Sequence, residues 1–301
     1  MSEIDIAAET VSDRATTAAR VVFFTCALVT VLTTAGILAV LVAGAVPFFR
    51  EVSVVGFLTG TEWSPVIRPH SFGVLEIAWG TLMIVLGSAV IALPIGVLTA
   101  IYLSEYASSR VRSVLKPTLE VLAGIPTIVY GFFAISFVTP LLQRVVDVGT
   151  FNAASASLVV GIMILPMVSS LSEDAMSAVP DHLRHAAYGL GATKFEVSTR
   201  VVVPSALSGI LASFVLALSR AVGETMIVAL AAGMNPSITA DFGEEIQTMT
   251  GYMVQIGISD VSVGSVQYQS LFAVGLALFV MTLAMNLLSQ RVRARYREVY
   301  D

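Results

Sequence analysis

Residues 180–204 read PDHLRHAAYGLGATKFEVSTRVVVP and lie between long apolar runs on either side. Asp181, Arg184, Lys194, Glu196 and Arg200 place this stretch in water while its neighbours belong in lipid. Ala186, Ala187, Leu190, Ala192 and Phe195 are expected to form the small-residue face of a short helix. Gly189 and Gly191 are expected to give a kink, or a place where another surface approaches the backbone. A short amphipathic helix of this kind suits the docking of a partner.

The chain around it has the composition of a membrane protein. Of its 301 residues 56% are hydrophobic and 12% charged, with a mean hydropathy of +0.87, against about 25% charged in a soluble domain. Apolar windows fall at 21–49, 73–103, 118–141, 154–176, 202–233 and 269–290, each able to supply the ~20 residues that a spanning helix needs. The expected fold class is therefore all-α, a polytopic membrane helix bundle of six transmembrane helices. Twelve Lys and Arg fall on the side that carries residues 180–204, and three, Arg50, Arg68 and Arg144, on the other. That excess puts both termini and residues 180–204 in the cytoplasm, in a multi-pass protein of the cell membrane.

The expected division is a cytoplasmic tail at 1–20, an extra N-terminal transmembrane helix at 21–49 and an external loop at 50–72. A five-helix core at 73–290 follows, with residues 180–204 as its cytoplasmic coupling segment, and then a basic tail at 291–301. The first apolar run is far longer than a signal-peptide core, so it is expected to stay uncleaved. Cys26, the single cysteine, reads as a small core hydrophobe. A net charge of -5 argues against nucleic acid as a partner; membrane lipid is the expected surroundings.

Proline and glycine punctuate the spans. Span one is expected to end at Pro47, and Pro94 to kink span two, either for packing or for bending in transport. Gly124, Pro126 and Gly131 interrupt span three and allow another backbone close. Glu120, one turn after Lys116, is expected to pair with it, and Glu173 and Asp174 to mark where span four emerges into water. The loop at 236–268 holds Asp241, Glu244, Glu245 and Asp260 without a basic residue. It reads as a docking surface for an external protein or as a solvated loop.

Span five carries the chemistry. In ASFVLALSRAVGETMIVALAAG, Arg220 and Glu224 stand four residues apart and so on one face of a continuous helix, about 24 Å beyond Pro204. A charge at that depth costs at least ~2.5 kcal/mol, so the pair belongs against a polar interior or a partner. It reads either as a self-neutralising bridge that lets the helix insert or as a substrate site. Gly223 and Thr225 flank it, and Gly223 leaves room for a ligand or a helix. A guanidinium is a planar fork suited to an oxyanion.

No phosphate-binding G-x-x-x-x-G-K-[ST] occurs, so the chain is not expected to bind ATP itself. No G-x-S-x-G, H-E-x-x-H or Cys/His cluster is present. His182 and His185 have no third ligand, so neither a metal nor any other cofactor is expected, and the chain does not read as an enzyme.

Within residues 180–204, HAAYGLGATKFEVSTRVVVP resembles the EAA loop of ABC importer permeases. Ala186, Ala187, Gly191, Val201, Val203 and Pro204 fall on that pattern, and His185 stands where the family has Glu. IYLSEYAS at 101–108, VLKPTLEVLAGIPTIVYGFFA at 114–134 and SRAVGETMIVALAAG at 219–233 are similar to the phosphate importer permeases, the PstC kind more than the PstA kind. The resemblance implies a type I ABC importer permease fold, five core helices and one extra at the N-terminus. It implies a homologous PstA-like permease subunit and a PstB-like ATPase that docks the segment of His185, Ala186, Ala187, Gly191 and Pro204. It also implies a PstS-like extracytoplasmic phosphate-binding protein, with Arg220 and Glu224 tied to the passage of phosphate. The alternatives are another oxyanion, sulfate or molybdate, and a membrane scaffold that holds a cytoplasmic partner and moves no solute.

Overall fold

The apolar windows fold as helices, two of them broken, because a backbone in lipid must satisfy its own N–H and C=O groups. In the computed structural model residues 6–295 are described. Helix α1 (Ile6–Glu51) runs past Pro47 rather than stopping there. Its apolar stretch has none of its side chains buried in the protein, and Thr25, Thr30 and Thr34 turn their hydroxyls back onto carbonyls four residues earlier, the arrangement a lipid-facing helix needs. Cys26 lies exposed on this helix, not in a core. Toward its end α1 leans on the last helix, where Gly44 faces the ring of Phe272 at a distance that leaves no room for a Cβ.

A small cap closes that end of the bundle. It consists of α2 (Val54–Thr59) and an antiparallel pair, β1 (Trp63–Ser64) and β2 (Ser71–Phe72), in the register Trp63 to Phe72. Phe48, Phe57, Trp63, Phe72 and Tyr252 meet edge to face, with the Trp63 and Tyr252 centroids 4.7 Å apart. Such pairs add to the burial of their area.

Helix α3 (Leu75–Ile101) continues through Pro94 and ends in a π-helical turn over Tyr102–Tyr106. Span three is broken. Helix α4 (Ser109–Gly124) and the run of α5 (Thr127–Phe133), a π-helical turn and α6 (Thr139–Leu142) meet at 89° across Ile125 and Pro126. Gly124 and Pro126 break the helix as the sequence suggests. Gly131 does not; it lies inside α5, where it admits Leu230.

Helix α7 (Ala153–Ser177) is the most enclosed span. Gly87, Gly96 and Gly161 let it lie close against α3, the small-residue packing of membrane helices. The segment beyond it folds into α8 (Asp181–Gly189), α9 (Lys194–Val197), a π-helical turn and α10 (Val203–Ser205). After a 69° bend comes α11 (Leu207–Val222), then α12 (Met226–Ala231). The acidic loop is not simply solvated. Residues 246–252 are buried, and α13 (Met249–Ile258) packs inside the cap before α14 (Val266–Arg295) crosses back. Among the described residues four helices are long and apolar enough to span a membrane, and six spans result if each bent pair counts as one.

Candidate functional site

Span five is not one helix. Helix α11 stops at Val222, Gly223 caps it, and α12 starts only after Thr225. Arg220 and Glu224 therefore do not share a helical face, and the 69° bend near Ala206 means depth runs from Leu207, about 20 Å along α11. Glu224 is 7% exposed and makes no ion pair with the arginine. Its Oε1 accepts from the backbone N–H groups of Met226 at 3.1 Å and Ile227 at 3.2 Å, satisfying donors that the first turn of α12 leaves open. The Glu224 carbonyl accepts from the Thr250 hydroxyl at 2.6 Å, which fixes α13 beside the break. Thr225 donates its hydroxyl to the Gly223 carbonyl at 3.1 Å.

Among the described residues no carboxylate pairs with Arg220, and its side chain is exposed. The self-neutralising bridge is thus not formed. Tyr130 lies in the same buried apolar cluster as Ala221 and Val222, the two residues that follow Arg220. Tyr130 donates to the carbonyl of Leu122 across the break in span three, at 2.8 Å. Helix α12 rests on α5 at Gly131. Two interrupted spans therefore meet beside one unpaired cation. Gly223 is exposed, and among the described residues a Cβ there would meet nothing nearer than 3.9 Å, so no packing among them demands glycine.

Residues 180–204 form a hooked surface. Gly191, at a φ of +85° that glycine adopts freely, turns the chain from α8 into α9, and Thr193 and Glu196 cap each other there. The expected single small-residue face is split by this turn. His185 and Ala186 are exposed on α8 with Ala187 half-buried, Leu190 lies past its end at 90% exposure, and Phe195 belongs to α9. Pro204 is exposed on α10. Gly189 has nothing within 4 Å of an added Cβ, so its openness serves nothing within the chain. His182 and His185 are both exposed, and among the described residues no group of His, Cys, Asp and Glu could hold a metal ion.

Residues 92–298 match the family described as the binding-protein-dependent transport system inner membrane component. The chain belongs to this family. The permease is 32% identical to the probable ABC transporter permease protein YqgH of Bacillus subtilis, over 92% of this chain and 90% of that one. It is 33% identical to the phosphate transport system permease protein PstC of Mesorhizobium japonicum, over 75% and 74% of the two chains. Among solved structures, an alginate ABC transporter superposes with a TM-score of 0.59 at 16% identity, over 84% of this chain and 87% of that one. An inward-facing MetNI methionine transporter does so at 0.57 and 18%, over 75% and 94%. These establish a type I ABC importer permease fold, and the protein is a permease subunit of an ABC importer.

Two contacts of the permease escape a reading of the sequence. Arg184, 13% exposed, donates to Glu105 (6% exposed) at 3.1 Å, to Asp181 at 3.2 Å, and to the carbonyls of Met176 and Val179. It pins α8 to the ends of α3 and α7. Lys116 pairs not with Glu120 but with Glu173 at 2.8 Å and Asp174 at 3.0 Å, and Arg112 also reaches Glu173. Glu173 does not emerge into water; it is fully buried. A buried acid that needs a cation is a readable signal, but the cation lies 57 residues away.

Proposed function

We propose that this permease carries inorganic phosphate through the cytoplasmic membrane, in an importer driven by ATP hydrolysis on a separate subunit. The observation that supports this most is Arg220, an exposed guanidinium with no carboxylate partner among the described residues, beside two interrupted spans. Non-helical backbone at membrane depth is tolerated only where it is buried in protein or lines a water-filled path. Gly223 is exposed and Arg220 carries charge, so this face belongs to a path and not to lipid. Arg220 and the backbone around Gly223 and Thr225 offer a transient charge-assisted contact to a tetrahedral oxyanion; Glu224 holds the break in shape.

Phosphate, among oxyanions, is favoured by the likeness to PstC and PstA proteins. Glu224 adds less than its position suggests, because its Oε1 is already engaged by two backbone donors. Both termini and α8 face the cytoplasm in this reading. A PstB-like ATPase receives His185, Ala186, Ala187, Gly191 and Pro204, and a PstA-like subunit covers the exposed apolar residues of α5, Ile128, Val129 and Phe132. A PstS-like binding protein delivers phosphate at the opposite end. Helix α1, which has little cover from the bundle, is the extra N-terminal helix, and residues 73–290 are the transport core. Closure of the ATPase on ATP moves α8, and the two permease subunits rock between outward and inward access.

The test is uptake by the whole complex in proteoliposomes. Labelled phosphate is expected to accumulate only with internal ATP and the binding protein, and a hundredfold excess of sulfate or molybdate is expected to leave the rate unchanged. Displacement by sulfate or molybdate would move the assignment to that oxyanion. ATP turnover without uptake of any of the three would remove the oxyanion reading.

A further inference from the structure

We infer that Glu173 is a positioning residue that ties the docking segment to the broken third span, so that movement of α8 reaches the neighbourhood of Arg220. The inference rests on the reading of α8 as the ATPase contact, and not on which ion is carried.

The last turns of α7 are clasped from two sides. From one side α4 holds them by charge: Arg112 and Lys116 both donate to Glu173, Lys116 also reaches Asp174, and Arg112 reaches the Ser177 hydroxyl at 3.2 Å. Ser177 in turn donates to Glu173 at 3.0 Å. From the other side α8 holds them through Arg184, which donates to the carbonyls of Met176 and Val179. One short piece of helix thus joins α8 to α4.

Helix α4 depends on this joint. None of its residues is buried, so side-chain packing gives it little hold at this end, whereas Glu173 is fully buried with two cations on it. A buried ion cluster is no more stabilising than apolar packing of the same volume, but it fixes one register and penalises partial engagement. At its other end α4 stops at Gly124, and the chain turns by 89° into α5. Among the described residues the only side-chain bond across that turn runs from Tyr130 to the carbonyl of Leu122; Tyr130 packs in one cluster with Ala221 and Val222, and the adjacent Gly131 meets Met226 and Leu230 just past the break at Gly223. A displacement of the end of α7 therefore swings α4 about Ile125 and Pro126, and the far side of the swing is the proposed path.

The experiment places spin labels on either side of the turn, at Val121→Cys and Leu141→Cys, both exposed positions, in a Cys26→Ser background. The distance between them is measured in the complete complex without nucleotide and after trapping with ATP and vanadate. The wild-type pair is expected to show a nucleotide-dependent shift that is lost in Glu173→Gln and kept in Glu173→Asp. ATPase co-purification shows that the complex is assembled. Should Glu173→Gln fail to assemble, Lys116→Met, at a partly exposed position, decides: a shift at least halved supports the joint and an unaltered one overturns it. A wild-type pair that does not respond to nucleotide, or a full shift in Glu173→Gln, likewise overturns it. No phosphate enters this assay, so its failure is separate from a failure of the substrate assignment.

Discussion

Arg220→Gln is expected to cut the initial rate of ATP-dependent phosphate uptake at least tenfold while the complex still assembles. Hydrogen bonds to a charged group contribute about 1.5–3 kcal/mol, and loss of 1.4 kcal/mol from the path's best contact already amounts to about tenfold. Glutamine keeps a donor and most of the length but not the charge or the fork. The variant should fold because Arg220 has no carboxylate partner among the described residues, so its removal leaves no buried anion behind. That separates it from Glu173, whose loss removes the buried carboxylate that Arg112 and Lys116 share. Uptake rates are compared at equal amounts of co-purified ATPase. An unchanged rate would make Arg220 an exposed charge without a role in passage and would send the search for the path to the partner subunit.

The largest effect on stability is expected at Gly80. Its Cα faces the backbone of Gln247 so closely that a Cβ would overlap the Gln247 carbonyl. The neighbouring Thr81 hydroxyl accepts from the Met249 N–H at 2.9 Å, and Thr248 caps α13. These contacts seat α13 inside the cap, and the obstacle to a side chain is main chain, which cannot rotate aside. Overpacking typically costs about 1–3 kcal/mol, and Gly80→Val is expected at or above the upper end. Thermal unfolding of the detergent-solubilised complex should show a fall of several degrees. Gly36→Val, on α1 with nothing within 4 Å of an added Cβ, should melt with wild type. Equal melting of Gly80→Val and wild type would mean that α13 is not seated on α3 as described.

The bundle was legible because its signals are local. Apolar windows of sufficient length folded as helices, and Gly124 and Pro126 ended α4. What stayed hidden depends on contacts distant in the chain or on rival local bonds. Arg220 and Glu224 look like an i, i+4 pair, but the Glu224 carboxylate finds two backbone donors just ahead of it, and Gly223 lets the helix end. Lys116 has Glu120 one turn away, yet the buried Glu173 draws it, because a desolvated carboxylate without a cation costs far more than a solvated one. Helix α13 is too short to register as a span, so its burial within an acidic loop has no hydropathy signature. The candidate site follows the same division: the residue types at 220–225 suggest it, and their spacing does not give the geometry.

The central claim, that substrate passes the break in span five, is tested most directly by chemical access to Gly223. Cysteine fits there, since an added Cβ meets nothing closer than 3.9 Å, and the Cys26→Ser background removes the other thiol. Gly223→Cys in the assembled, transporting complex is treated with a charged, membrane-impermeant methanethiosulfonate reagent, with and without phosphate and the binding protein. The account predicts that the thiol reacts, that its accessible side changes with nucleotide, and that phosphate slows the reaction. A thiol that stays unreactive from both sides in every nucleotide state, or reacts at a rate phosphate does not alter, would contradict it.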